Sequence, residues 1–180
     1  GRFPEVEHAA NQTSWLESLA PYTEDAEQIG VLGLCPSDLP RVERSSDRET
    51  SYGMNGYVRK LTRFEREDLA WLFEGTPDED MVNDFVQEFY DVQSTHKTIV
   101  LFEAGPFVET HRDHVHAEFW FTETFRTPEE AWEQVKKEVA VERHSGGVSN
   151  LLYADGHVST LAADQMYEWI LEGNNFVRPQ

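Results

Sequence analysis

Apolar residues recur with two different periods along the chain, and the switches between them mark its elements. In "TSWLESLAPY", Trp15, Leu16 and Leu19 fall at helical spacing, and Pro21 limits the helix to one or two turns. Over 75–92, Thr76 is placed to cap a helix, Pro77 takes its first position and Glu79 closes a capping box. Met81, Val82, Phe85, Phe89 and Val92 then share one face. The same device returns at 126–139, with Thr127, Pro128 and Glu130 at the start and Trp132, Val135 and Val139 on the buried side. A short helix over "DQMYEWILEGNN" is closed by Gly173.

Strands are predicted where the period falls to two or the run is continuously apolar. In "SYGMNGYV" the glycines 53 and 56 point to a bulge or a close backbone approach. Ile99–Phe102 is an apolar run bounded by Gly105-Pro106. In "HAEFWFTETF", Glu118, Trp120 and Thr122 alternate with Phe119, Phe121 and Glu123, which predicts the second strand of an antiparallel pair. "NLLYADGHVSTL" reads as strand, Asp155-Gly156 turn, strand, with Leu151, Leu152 and Val158 as core contacts; a type I′ turn would need positive φ at both central residues. "IGVLGLCPSDLP" is an apolar segment followed by a turn, and "RVERSSDRET" a polar surface loop. Strands and helices mixed with hairpins predict an α+β domain with an antiparallel sheet, a single unit over 1–180.

Charge narrows the partners. The chain carries 15 basic and 34 acidic residues, a net of −19. Such a field repels phosphate backbones and anionic membrane surfaces, so nucleic acid is not an expected partner. Cys35 is the only cysteine, so no intrachain disulfide forms and the redox compartment stays open. In its apolar-then-turn setting it reads as a packed small hydrophobe. No run of 18 apolar residues is present to span a membrane.

Two stretches hold candidate chemistry. In "HRDHVHAE", His114, His116 and Glu118 have period-two spacing and would share one strand face, so His111, His114 and His116 are candidate zinc ligands. The set lacks a complete third-ligand pattern, so tightly bound zinc is not expected there. Calcium is the one cofactor that acidic loops leave open. In "RHSGGVSNLLYADGHVSTL", His144, Asp155 and His157 would form a metal or acid–base group if the Ser145-Gly146-Gly147 loop folded back over the hairpin. Turn chemistry accounts for Asp155 and Gly156 without it. The chain has no Gly-x-Ser-x-Gly elbow, phosphate-cradling glycine loop or His-Glu-x-x-His helix.

That last stretch resembles the C-terminal signature of prepilin-type proteins of planctomycete-like bacteria, a histidine, nine residues and Asp-Gly. Its positions here are His144, Gly146, Gly147, Asp155 and Gly156, with ten residues rather than nine between His144 and Asp155. "SWLESLAPY", "CPSD", "TSYGMNGYV" and "KTIVLFEAG" are similar to further stretches of that family, in the same order. The resemblance implies a pilin-like fold, an antiparallel sheet packed on an N-terminal helix whose membrane part is missing here, with extra short helices. It implies a non-enzymatic pseudopilin or minor-pilin-like subunit of a type II secretion or type IV pilus-like assembly. Such a subunit is extracytoplasmic, anchored in the inner membrane as a precursor, and partnered by other pilin-like subunits through the missing helix. The soluble head alone is then expected to be mostly monomeric. An extracytoplasmic binding module and a metal-dependent enzyme built on His111, His114 and His116 are the alternatives.

Overall fold

The computed structural model describes residues 1–4, 14–23, 31–38, 50–59, 84–105, 113–122 and 124–180. The apolar and alternating runs pair as expected of strands: Tyr52–Asn55 (β1), Ile99–Glu103 (β2), His114–Val115 (β3), Val148–Tyr153 (β4) and Val158–Ala162 (β5). They form one five-stranded sheet of order β3-β1-β2-β4-β5. β1–β2, β2–β4 and β4–β5 are antiparallel, and only the short β1–β3 pairing is parallel. The architecture is therefore mixed α and β with a mostly antiparallel sheet.

The side chains of β2 divide between two apolar clusters, Val100 and Leu101 in one and Ile99 and Phe102 in the other. Met54 joins Trp15, Leu16 and Val58, with Tyr52, Val100 and Leu101 packed against them. The other cluster unites Phe102, Val115, Trp120 and Leu151 with residues of two helices, Pro128–Glu138 (α1) and Ala163–Leu171 (α2). Val135 and Val139 come from α1 and its C-cap, Met166 and Ile170 from α2. Phe102, Leu151 and Met166 are fully buried, and each contributes roughly 1.5–3 kcal/mol by leaving water.

The Thr127 cap of α1 forms as read, whereas Glu130 reaches one residue further back than the N-cap N–H that a capping box uses. Thr127 Oγ1 accepts from the Glu130 backbone N–H at 3.3 Å, and the Glu130 carboxylate accepts from the Arg126 N–H at 2.8 Å. The first short helix is a 3-10 turn, Glu17–Tyr22, with Pro21 inside it. Gly53 and Gly56 serve close approach: a Cβ on Gly53 would meet Val115 Cγ1 at 3.0 Å, and one on Gly56 would overlap the Glu118 carboxylate.

Three expectations are overturned. The helix predicted over 75–92 is not formed in its described part, 84–92, where only a 3-10 turn, Phe89–Asp91, is present. The backbone there is committed to distant partners: Val86 N–H donates to Tyr57 O at 2.8 Å, and Gln87 O accepts from Phe3 N–H at 2.9 Å. Its capping residues 76–79 lie outside the described residues. The strand predicted over 116–125 is instead a 3-10 turn, Ala117–Phe119, followed by turns. Glu138 draws this segment in, accepting from the His116 N–H at 2.9 Å and the Trp120 indole at 3.0 Å. Finally, Val158 is not a core contact but 64% exposed, because β5 is the sheet's outer strand.

The hairpin forms, with its turn one residue earlier than Asp155-Gly156. Gly156 N–H donates to Tyr153 O at 2.9 Å, so Ala154 and Asp155 are the central residues. Gly156 follows with φ of +90°. A turn followed by a left-handed glycine is the usual three-residue hairpin loop.

Two predictions follow from these placements. Gly156→Val is expected to destabilise the fold by about 1–3 kcal/mol, the cost of a β-branched residue at positive φ. An unchanged midpoint of urea unfolding would contradict it. Burial, the largest cause, raises the Tyr57 phenol from 10.0 to about 12. The folded state thus favours the protonated form, so this contribution is complete below pH 10 and is lost as pH rises towards 12. That window is worth roughly 2–3 kcal/mol, at about 1.36 kcal/mol per pKa unit. Urea unfolding of Tyr57→Phe should lack this alkaline step, and identical pH profiles for the two proteins would contradict the assignment.

Candidate functional site

The end of β2 places a carboxylate where the sheet is most enclosed. Glu103 is fully buried although it closes an otherwise apolar strand. Its Oε2 accepts from Ser149 Oγ at 3.1 Å and from the Asn150 N–H at 2.9 Å, both on neighbouring β4. Its Oε1 lies 2.7 Å from His144 Nε2. Both carboxylate oxygens of this acid thereby have partners, which offsets the cost of burying it.

Arg143 holds the other side. Its guanidinium donates to Ser51 O at 3.0 Å and Ala104 O at 2.6 Å, and it pairs with Asp38 Oδ1 at 3.2 Å. Glu103 Oε1 is 4.0 Å away. One planar fork therefore joins the start of β1, the end of β2 and the Cys35–Asp38 turn, a geometry an ammonium cannot reproduce. That turn is closed by Asp38 N–H donating to Cys35 O at 3.0 Å. Asp38 in turn accepts from the Ser51 hydroxyl.

His144 sits beside this pair through a tight loop. Its N–H donates to Val148 O at 3.0 Å, and Gly147 N–H donates back to its carbonyl at 3.2 Å. Gly146 and Gly147 have φ of +93° and +68°, which explains both glycines. Cys35 Sγ lies 3.9 Å and Asn150 Nδ2 2.9 Å from His144 Nε2. The ligand-type atoms of Cys35, Glu103 and His144 all fall within 4.8 Å of one another. Burial, followed by the nearby Cys35 and Glu103, raises the Tyr52 phenol above the ordinary value.

The residues of the signature do not all meet. His144 precedes β4 and Asp155 follows it, so the six-residue strand keeps them about 20 Å apart at ~3.3 Å per residue. Asp155 instead accepts from the His157 N–H at 3.1 Å and contacts His157 Nδ1 at 2.6 Å. These bonds, the backbone one first, hold its carboxyl below the usual range. His144, Asp155 and His157 therefore do not converge as they would if the loop folded back over the hairpin, and form two separate groups at opposite ends of β4. The tenth residue between His144 and Asp155 is not taken up as a bulge against β5, since Val148 to Leu152 pair without a break with Ala162 to Val158. The register slips in β2, between Ile99 and Leu101.

Of the histidine cluster, His111 lies outside the described residues. His114 and His116 have ring centroids 4.8 Å apart. They face different carboxylates: His114 Nδ1 is 3.1 Å from Asp113, and His116 Nδ1 is 3.9 Å from Glu138. His116 caps the 3-10 turn, so the single strand face expected for His114, His116 and Glu118 is not formed. Glu118 is buried with Arg59 at 3.0 Å.

Asn55 of β1 is enclosed and satisfied, donating to Ile99 O and Val177 O at 2.8 Å each while accepting from the Tyr57 N–H at 3.1 Å. Sequence reasoning missed Glu103, Asp38 and Arg143 as a group. The available signals were a charge ending an apolar strand and an Arg-His pair ahead of two glycines. Comparison of the chain with models of protein families, with curated proteins and with solved structures returns no match.

Removing the cation should expose the dependence of this site on it. Arg143→Met is expected to cost about 3–5 kcal/mol, because Asp38 and Glu103 then lose their buried counter-charge. Urea unfolding measures it, and a loss below about 1 kcal/mol would place the cluster outside the stability of the fold.

Proposed function

We propose that this chain is the extracytoplasmic head of a non-enzymatic, pilin-like subunit, a pseudopilin or minor pilin of a type II secretion or type IV pilus-like assembly. The observation that carries the reading is where the family-like stretches go. Cys35 and Asp38, Ser51 and Tyr52, Glu103, and Arg143 and His144 come from four separate stretches and meet in one largely buried cluster. Arg143, Asp38 and Ser51 are engaged in tying a turn to the ends of two strands, which is the work of a scaffold. The Asp155-Gly156 end of the signature is likewise accounted for by a hairpin loop.

In this reading the subunits associate through an apolar helix encoded ahead of Gly1, and the helix also anchors the precursor in the inner membrane. The heads, each at −19, repel one another. Light scattering across a salt series should find the 180-residue chain monomeric at low salt. Weak association should grow as salt shortens the Debye length, which is about 8 Å at physiological ionic strength. A stable oligomer at low salt would overturn the helix-driven picture. The residues encoded ahead of Gly1 give an independent check. A prepilin cleavage site followed by about 20 apolar residues is expected, and a conventional signal peptide would favour a binding module or an enzyme.

A further inference from the structure

We propose that Cys35 Sγ, Glu103 Oε1 and His144 Nε2 form a binding site for a zinc-class divalent transition metal. The site rests on side chains from three separated parts of the chain, and it stands whether or not the chain is a pilin-like subunit. It also differs from the histidine cluster in the sequence, since neither His114 nor His116 belongs to it.

The donor set is the first argument. A thiolate, an imidazole and a carboxylate suit zinc, with one position left for water or a further ligand. One ligand atom from each of the three residues lies within 4.8 Å of the other two. Donors of a tetrahedral zinc at about 2.0–2.3 Å are separated by roughly 3.3–3.8 Å. The Sγ to Nε2 distance of 3.9 Å is already close to that spacing. The Nε2 to Oε1 distance of 2.7 Å needs to open by less than a carbon–carbon bond length.

The surroundings are the second. Glu103 Oε2 is fixed by Ser149 Oγ and the Asn150 N–H, which leaves Oε1 directed at His144. Outer partners of this kind orient metal ligands. An imidazole nitrogen offers either one proton or one lone pair. Nε2 here faces a carboxylate oxygen at 2.7 Å, an amide nitrogen at 2.9 Å and a thiol at 3.9 Å. A dication among them takes the lone pair, and its charge balances those of the thiolate and the carboxylate. Arg143, whose charge would compete, is paired with Asp38 at 3.2 Å.

Access is the third. Glu103 and Cys35 are buried, but the His144 side chain is 25% exposed, so the group opens outward at the imidazole. Binding releases the thiol proton, so affinity falls as pH is lowered.

Cobalt(II) is the probe, added to the metal-free chain under reducing conditions. The expected result is one equivalent bound, with the visible bands of a tetrahedral cobalt centre and a near-ultraviolet sulfur-to-cobalt charge-transfer band. Zinc should bleach both by competition. Cys35→Ala should abolish the charge-transfer band, and His144→Gln should weaken binding at least tenfold. His114→Gln combined with His116→Gln should leave both unchanged. Circular dichroism and urea unfolding establish that each variant is folded, and Cys35→Ala, which removes no buried charge pair, keeps the test decisive if His144→Gln is not. Absence of saturable binding at micromolar cobalt would overturn the proposal. So would binding without the sulfur band, or binding that survives in folded Cys35→Ala or is lost in the His114 and His116 double variant.

Discussion

The ion pair between Arg143 and Asp38, with Glu103 beside it, is the constraint on which the architecture turns. All three side chains are almost wholly out of water. Stripping an ion of its hydration costs several kcal/mol, and only a partner with good geometry and full hydrogen bonding offsets it. The protein meets that condition with backbone as much as with side chains. Ser51 O and Ala104 O accept from Arg143, while Ser149 Oγ and the Asn150 N–H donate to Glu103. The charges therefore fix more than each other. They set where the Cys35–Asp38 turn sits on the sheet, how β1 begins and β2 ends, and the path of the chain after α1. Apolar burial drives collapse without direction, whereas these bonds admit one arrangement of the strands they join.

Close approach of backbone completes the node. Gly105 N–H donates to Glu138 O at 2.7 Å, and a Cβ at Gly105 would overlap the carbonyl of Lys137. Ala140 N–H donates to Glu103 O at 2.8 Å. The C-terminal end of α1 is thus bonded directly to the end of β2, and Glu138 reaches from the same turn to His116 and Trp120. Substitutions at Glu138 would be felt at His116 and Trp120, and a shift of its backbone at Gly105, because this one residue touches all three.

Elements governed by local chemistry were legible in the sequence. The Thr127 cap with Pro128 and Glu130, the Gly173 end of α2 and the apolar run of β2 each carry their cause within a few residues. The failures share the opposite property. Phe85, Phe89 and Val92 lie at helical spacing, yet their segment is held by Tyr57 and by the N-terminal strand-like residues Gly1–Phe3. "HAEFWF" alternates like a strand, yet Glu138, 18 residues beyond Trp120, bends it into a 3-10 turn. Periodicity reports which residues prefer burial, and long-range hydrogen bonds decide the backbone that buries them. The candidate site was hidden for the same reason. Glu103 and His144 are 41 positions apart and Cys35 and His144 are 109 apart. No spacing rule joins residues across such distances.

The signature that drew attention in the sequence separates into two pieces with different work. Its His-x-Gly-Gly end makes the sharp loop that returns the chain into β4 and sets His144 against Glu103. Its Asp-Gly end makes an exposed loop, where Asp155 braces His157 and the His157 ring stacks on Tyr153 at 4.3 Å. β4 joins them as a strand paired on both sides, with β2 and with β5. Such a strand allows the residue count between the two ends to change only where pairing is interrupted, in a loop or at a bulge. In this chain the two ends of the stretch do not touch, and each places its own glycines where the backbone turns, Gly146 and Gly147 before β4 and Gly156 after it.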